Sequence, residues 1–235
     1  MAIVISIDGI IGSGKSTLLE LLQSHHFVRS RPLVIVKEDV SDWVDQGILQ
    51  QYYEDQANTA FTFQLYVLFS RLKVLEETMI KHPNAVIISE RTMRSDYMFA
   101  YMLYNTDKIS EFEFKTYQMA YENIKKTKIA GRILLKCDPK VALERCSVRK
   151  REGEESLMLS YFEVMHHYIQ DFFEEDYVTD TIVFNEEDKI DVVLERSWKF
   201  LDEIVREIEQ KKFRLFFVQA SIVLAIVSVL SVCVF

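Results

Sequence analysis

Apolar residues dominate short strand-like runs at 3–7, 33–36, 85–89, 133–137 and 181–184, separated by longer stretches with apolar positions every three or four residues. Short continuous runs suit strands buried on both faces, and the three-to-four spacing suits amphipathic helices. Their alternation predicts an α/β fold, a parallel five-stranded sheet with helices on both faces. The longest helical stretches cover 57–81 and 110–126; Asn58 or Thr59 is the expected cap of the first, and Pro83 and Asn84 end it. No repeat or low-complexity linker divides residues 1–212, so one domain is expected there, closing in a charged helix over 187–212.

The pattern then changes. Residues 215–235 hold 21 positions without a charge, polar only at Gln219 and scattered serines, and Lys211, Lys212 and Arg214 precede them. A helix of that length would measure about 31 Å, the thickness of a bilayer's hydrocarbon core. The expectation is a C-terminal transmembrane anchor over 213–235 with the domain on the cytosolic side, where the basic flank would stay.

Composition narrows the partners. With 28 basic and 36 acidic residues the net charge is −8, which argues against a nucleic acid polymer, since phosphate backbones select basic surfaces. Cys137, Cys146 and Cys233 are odd in number and widely spaced, with no metal-ligand pairing and no disulfide framework, which suggests a reducing compartment. The apolar residues after Met1 lead into a glycine-rich turn rather than a cleavage site, so no signal peptide is expected.

That turn carries the first chemistry. In "SIDGIIGSGKST", Gly9, Gly14, Lys15 and Ser16 are in register for G-x-x-x-x-G-K-S, between a strand pattern and a helix pattern. Glycines let successive backbone N–H groups wrap an anion at a helix N-terminus. Lys15 would reach the β- and γ-phosphates and the Ser16 hydroxyl would sit on Mg²⁺. A nucleoside triphosphate is therefore the expected ligand. Ligands of such sheets bind beyond the carboxyl ends of the strands, where "VKEDVSDW" and "SERTMRSDYMF" follow the second and third runs. Glu38 and Glu90 are carboxylates placed to hold Mg²⁺ or to take a proton from an attacking hydroxyl, and Arg91 adds positive charge where phosphate charge develops. Arg145 and Arg149 share a helix face and Arg151 lies just beyond. Together they fit either a lid closing over phosphates or a solvated basic face.

Taken together, "IDGIIGSGKST", "KEDVSDW", "LQQYYEDQANTAFTFQLYVLFSRL", "ISERTMRSDYMFAYML" and "RCSVRKREGEES" resemble, in order, the deoxynucleoside kinases, the group of deoxycytidine, deoxyguanosine and mitochondrial thymidine kinases. The resemblance covers about residues 3–170 and implies the P-loop kinase fold. It implies that Gly9, Gly12, Gly14, Lys15, Ser16 and Thr17 hold the phosphates of ATP, with Arg145, Arg149 and Arg151 as the lid. Glu38 would be the general base for the 5′-hydroxyl, Arg91 would contact that hydroxyl and Glu38, and Glu90 with Ser16 would support Mg²⁺. Tyr53 and Glu154 would hold the sugar 3′-hydroxyl; Gln64 would pair with the base between walls of Trp43, Leu49, Phe63 and Phe99. Arg71 and Asp96 match a pair that favours deoxycytidine or purine deoxynucleosides over thymidine. A homodimer is also implied, as is a place in nucleotide salvage.

The chain departs from the family in reading "DGI" for "EGN" and "KED" for glutamate-proline, in a helix after Glu90 that is one residue shorter between Asp96 and Phe99, and in its apolar tail. Two other readings stand beside the kinase. A thymidylate-type monophosphate kinase would need an arginine for the acceptor phosphate, and the Lys37–Glu38 loop has none. A catalytically silent nucleotide-binding membrane adaptor would have no use for Glu38, Glu90, Arg91 and the three lid arginines.

Overall fold

A computed structural model describes residues 1–124, 127–151, 154–155, 157–174 and 180–232, with Glu174 and residues 222–232 described by backbone alone. In chain order the elements are β1 (Ile3–Gly9), α1 (Lys15–Gln23), β2 (Phe27–Val28), β3 (Arg31–Val36), α2 (Val40–Asp45), α3 (Ile48–Glu54), α4 (Gln56–Lys81), β4 (Val86–Glu90), α5 (Met93–Asn105), α6 (Glu111–Asn123), β5 (Ile129–Leu135), α7 (Pro139–Arg149), α8 (Leu159–Glu174), β6 (Asp180–Phe184) and α9 (Ile190–Val232).

The strands form one sheet in the order β2-β3-β4-β1-β5-β6. Five are parallel, as expected; the sixth, β2, pairs antiparallel with β3 through Phe27–Pro32 and Val28–Arg31 and makes the sheet mixed. A two-residue strand leaves no alternation to read, which is why the five-strand expectation missed it. The central strand shows why its first half is mostly apolar. Ile3, Ile5 and Ile7 of β1 pack with Leu18, Leu19 and Leu22 of α1 and Leu201, Ile204 and Val205 of α9. Val4, on the opposite face, joins the core made by α4, α5, α6 and α8.

Two helix boundaries differ from expectation. Asp55, not Asn58 or Thr59, stands at the N-cap of α4. Thr59 Oγ1 bonds back to the Asp55 carbonyl at 2.6 Å from inside the helix, and the Asn58 amide donates to the Asp55 carboxylate at 2.8 Å. At the other end, the charged helix and the apolar tail are one element, since α9 runs 43 residues from Ile190 to Val232. The change from charged to apolar residues near 212 alters what the helix faces, not its backbone, because no glycine or proline interrupts it. Phe213, Leu215, Phe216, Phe217 and Val218 are more than half exposed. Among the described residues no helix is long and apolar enough to cross a membrane; most of the anchor expected over 213–235 lies outside the described side chains, and Cys233 is not described.

The α9 helix lies close on β5 at Gly131, where a Cβ would fall 2.1 Å from Ile204 Cδ1 and 3.0 Å from Phe200 Cζ. Next to it, Arg132 puts a charge inside the sheet. Its guanidinium is 2% exposed, donates to Asp8 Oδ2 at 3.3 Å and stacks 4.2 Å over the Phe173 ring. The Asp8 Oδ1 accepts from Ser95 at 2.5 Å, so β5, β1 and the first turn of α5 are tied by one buried carboxylate.

Candidate active site

The residues after β1, β3 and β4 converge on a cavity of about 570 Å³. The phosphate-loop turn packs against α7: a Cβ on Gly12, at φ +79°, would come within 2.5 Å of the Ala142 carbonyl oxygen. Only glycine fits both the left-handed backbone and that approach. Lys15 opens α1 behind it and is buried, its ammonium donating to the carbonyls of Ile10 at 2.8 Å and Gly9 at 3.2 Å. Burial, helped by the nearby Arg91 charge, brings the Lys15 pKa down to about 7. Two carbonyls hold the ammonium at the base of the loop, where a phosphate charge would restore its full protonation.

Opposite Lys15, Ser16 Oγ lies 3.4 Å from Glu90 Oε1. A hydroxyl and a nearly buried carboxylate side by side on the cavity wall are hard oxygen donors, a set that fits Mg²⁺, which takes few protein ligands and completes its shell with water and phosphate. Among the described residues no group of three or more His, Cys, Asp or Glu side chains could hold a metal.

Glu38 follows β3 and is held by two arginines. Arg91 Nη1 donates to Oε2 at 2.5 Å and Arg71 Nη2 to Oε1 at 2.7 Å. Burial alone would raise this carboxyl, but Arg91 and then Arg71 outweigh it and bring the pKa down to about 2. Arg91 adopts φ 60°, a left-handed backbone uncommon outside glycine. The strain is held by its N–H on the Ile7 carbonyl at 3.0 Å and by the Ser89 hydroxyl on its own carbonyl at 2.8 Å. That backbone turns the guanidinium to Glu38, to the Gly9 carbonyl at 3.4 Å and over the Phe99 ring at 5.1 Å.

The apolar end of the cavity is a slot. Trp43 stands edge-on to Phe63 at 5.8 Å between centroids, Tyr52 stacks on Phe63 at 4.2 Å, and Leu49 and Phe99 line the same cavity. Gln64, one residue beyond Phe63 on α4, is 4% exposed and lines the wall, as do Asp96 and Tyr53. This apolar wall, with the Gln64 amide at its edge, suits a flat ring that carries polar groups on its rim. At the third side, Glu154 takes Arg149 Nη2 at 2.6 Å and Arg151 Nη1 at 3.2 Å, and Arg145 Nη1 reaches the Gly12 carbonyl at 3.4 Å. Two of the three lid arginines are therefore bound to the acid expected at the sugar.

Every residue expected from the sequence to bind ATP, metal or nucleoside lines this cavity except Gly9 and Arg71. Gly9 lies beneath the loop, its carbonyl shared by Lys15 and Arg91. Arg71 lies behind Asp96. The sequence reading omitted Tyr161, which enters from α8 with its hydroxyl 3.5 Å from that of Tyr52. A tyrosine at helical spacing reads as core, so the sequence held no signal for it.

Comparison with known proteins agrees with this geometry. A family model described as deoxynucleoside kinase matches residues 5–212. The chain is 38% identical to the kinase protein 029R of Invertebrate iridescent virus 3 over 71% of this chain and 80% of that one. It is 29% identical to deoxycytidine kinase 2 of Gallus gallus, over 69% and 71% of the two chains. A solved structure of deoxyadenosine kinase from M. mycoides superposes with a TM-score of 0.74 at 26% identity, covering 86% of this chain and all of that one.

Proposed function

The chain belongs to the deoxynucleoside kinase family, and from that membership we propose that it moves the γ-phosphate of ATP to the 5′-hydroxyl of a deoxyribonucleoside, with deoxycytidine or a purine deoxynucleoside favoured over thymidine. It is an ATP-dependent deoxynucleoside kinase acting in nucleoside salvage. The observation that carries the detailed reading is Glu38, a carboxylate held ionised by two arginines at the junction of the phosphate loop and an aromatic slot.

In this reading the nucleoside lies with its base between Phe63 and the facing side chains, Gln64 at its inner edge, and its sugar toward Tyr53 and Glu154. Glu38 accepts the 5′-hydroxyl proton as the oxygen attacks, and Arg91 holds both hydroxyl and carboxylate. A carboxylate this acidic is a weak base, which suits a transfer in which the proton leaves late and positioning supplies most of the rate. Lys15, the loop N–H groups and Arg145, Arg149 and Arg151 neutralise the charge on the transferring phosphoryl group. Bound Mg²⁺, held by Ser16 and Glu90, would add charge neutralisation at the phosphate oxygens. Engagement of the nucleoside sugar by Glu154 frees Arg149 and Arg151 for the phosphates, so acceptor binding and lid closure go together.

Further readings follow the same proposal. Residues 1–212 form the kinase domain and 213–235 a membrane anchor that leaves the domain cytosolic, supported by the uncharged sequence, its basic flank and the exposed apolar residues from Phe213 to Val218. A homodimer is favoured by the resemblance, and exposed Phe69 and Ile80 on α4 are compatible with it.

The test is a panel of deoxynucleosides and deoxynucleoside monophosphates assayed with ATP and Mg²⁺. Phosphorylation of the nucleosides is expected. Turnover of monophosphates alone would establish the thymidylate-kinase alternative, and ATP binding without turnover would establish the silent adaptor.

A further inference from the structure

Among the residues expected to touch the nucleoside, Arg71 alone does not line the cavity. Its side chain is 5% exposed and bonds to three elements at once. Nε donates to both oxygens of Asp96 on α5, at 3.1 and 2.9 Å; Nη1 donates to the Glu90 carbonyl at the end of β4, at 2.6 Å; Nη2 donates to Glu38 Oε1, at 2.7 Å. Asp96 is on the wall of the slot. We propose that Arg71 is a positioning residue that ties the base slot to the Glu38 carboxylate, so that the identity of the base is expressed in kcat and not only in KM. The inference rests on the nucleoside-kinase reading above.

A guanidinium is a rigid planar fork, so its bonds to three residues cannot be adjusted one at a time. The Nη1 bond to a strand-end carbonyl is the anchor, because β4 is buried along its length. Both Asp96 oxygens now accept from the same Nε. A base that donates an amino hydrogen to Asp96 takes up one oxygen, Nε settles on the other, and the fork turns about its anchor. That turn is delivered to Nη2 and hence to Glu38 Oε1. The other oxygen, Oε2, is bonded to Arg91, which does line the cavity, so Oε2 faces the acceptor hydroxyl and Arg71 sets its direction from behind. Proton transfer and in-line attack are steep in distance and angle. A base without a donor at that edge leaves Nε on both oxygens and Glu38 in its unadjusted position.

An ion-pair cluster that merely joined α4 to α5 would affect stability, or KM for all nucleosides alike. The discriminating measurement is kcat and KM, taken separately with deoxycytidine and thymidine, for the full chain and its Asp96→Asn, Arg71→Lys and combined variants. Lysine keeps the charge but cannot hold three acceptors in a fixed plane. Arg71→Lys should lower kcat for deoxycytidine about 10-fold or more with little change in KM. Asp96→Asn should bring the two nucleosides' kcat values together, and in the Arg71→Lys background it should no longer change kcat, the signature of one coupled path.

If Asp96→Asn alters KM alone, or the two substitutions multiply independently, the coupling is refuted while the kinase reading stands. Should Arg71→Lys fail to fold by circular dichroism, the kcat ratio in Asp96→Asn decides alone. A native chain that phosphorylates no nucleoside overturns both readings.

Discussion

Replacing Arg132 by methionine probes the energetic weight of the tie behind the site. Methionine keeps an unbranched apolar stem about as far as Nε but removes the guanidinium from Asp8, where both side chains are at most 2% exposed, and from the Phe173 ring. Losing one partner of a buried pair costs about 3–5 kcal/mol, because the remaining charge keeps its desolvation penalty without its compensation. Loss of the cation over the Phe173 ring adds roughly 0.5–1 kcal/mol. Ser95 still donates to Asp8, which keeps the estimate near the lower end, about 3–4 kcal/mol, out of a typical total of about 5–15. For a domain of this size that is a fall in Tm of roughly 6–16 °C. Chemical denaturation followed by circular dichroism measures it for Arg132→Met, Asp8→Asn and the pair. The combination Asp8→Asn with Arg132→Met should recover at least half the loss, since a neutral amide can still accept from Ser95 and no longer needs a cation. A loss below about 1 kcal/mol, or a combined variant as unstable as the sum of the two, would refute the reasoning.

Glu38→Gln should retain nucleoside binding by calorimetry while kcat falls by about 10² to 10⁴; an unchanged kcat would remove Glu38 as the base. Thymidine should be phosphorylated on the order of 10-fold less efficiently than deoxycytidine by kcat/KM, and Arg71→Met with Asp96→Ala should shift the preference toward thymidine. Deleting residues 213–235 should release the protein from sedimented membranes with activity retained, whereas full-length protein that stays in the supernatant without detergent would place the tail elsewhere. Gly131→Ala should cost about 1–3 kcal/mol in a denaturation experiment, because its methyl would overlap Ile204.

What could be read from the sequence was whatever short-range spacing encodes. The phosphate loop, the carboxylates after successive strands and the Arg145–Arg149 pair each occupy a few adjacent positions, and the cavity gathers them as expected. What spacing does not encode is a partner distant in the chain. Arg132 lies one position before the apolar run at 133–137, and its acid lies 124 positions away. The Arg71–Asp96 pairing was anticipated from the resemblance, but its bond to Glu38 was not, because pairing alone does not say how one guanidinium is shared. Near 212 the backbone carries no mark of the expected boundary for another reason: composition changes there, while no glycine or proline interrupts the helix.

Gly131 also has a mechanical meaning. From its contact at Ile204, α9 continues to Val232, an arm of about 42 Å at 1.5 Å per residue. With no glycine or proline along it, this arm acts as a lever whose fulcrum is Glu209, ion-paired with Arg29 and Arg31. A carbon atom added at Gly131 would push the helix on the near side of that fulcrum and tilt the arm, and a displacement of about 1 Å there would grow severalfold at the far tip. The relation also runs backwards, since a load on the tip, once past the Glu209 ion pairs, reaches the strand that carries Arg132, next to the strand that leads into the phosphate loop.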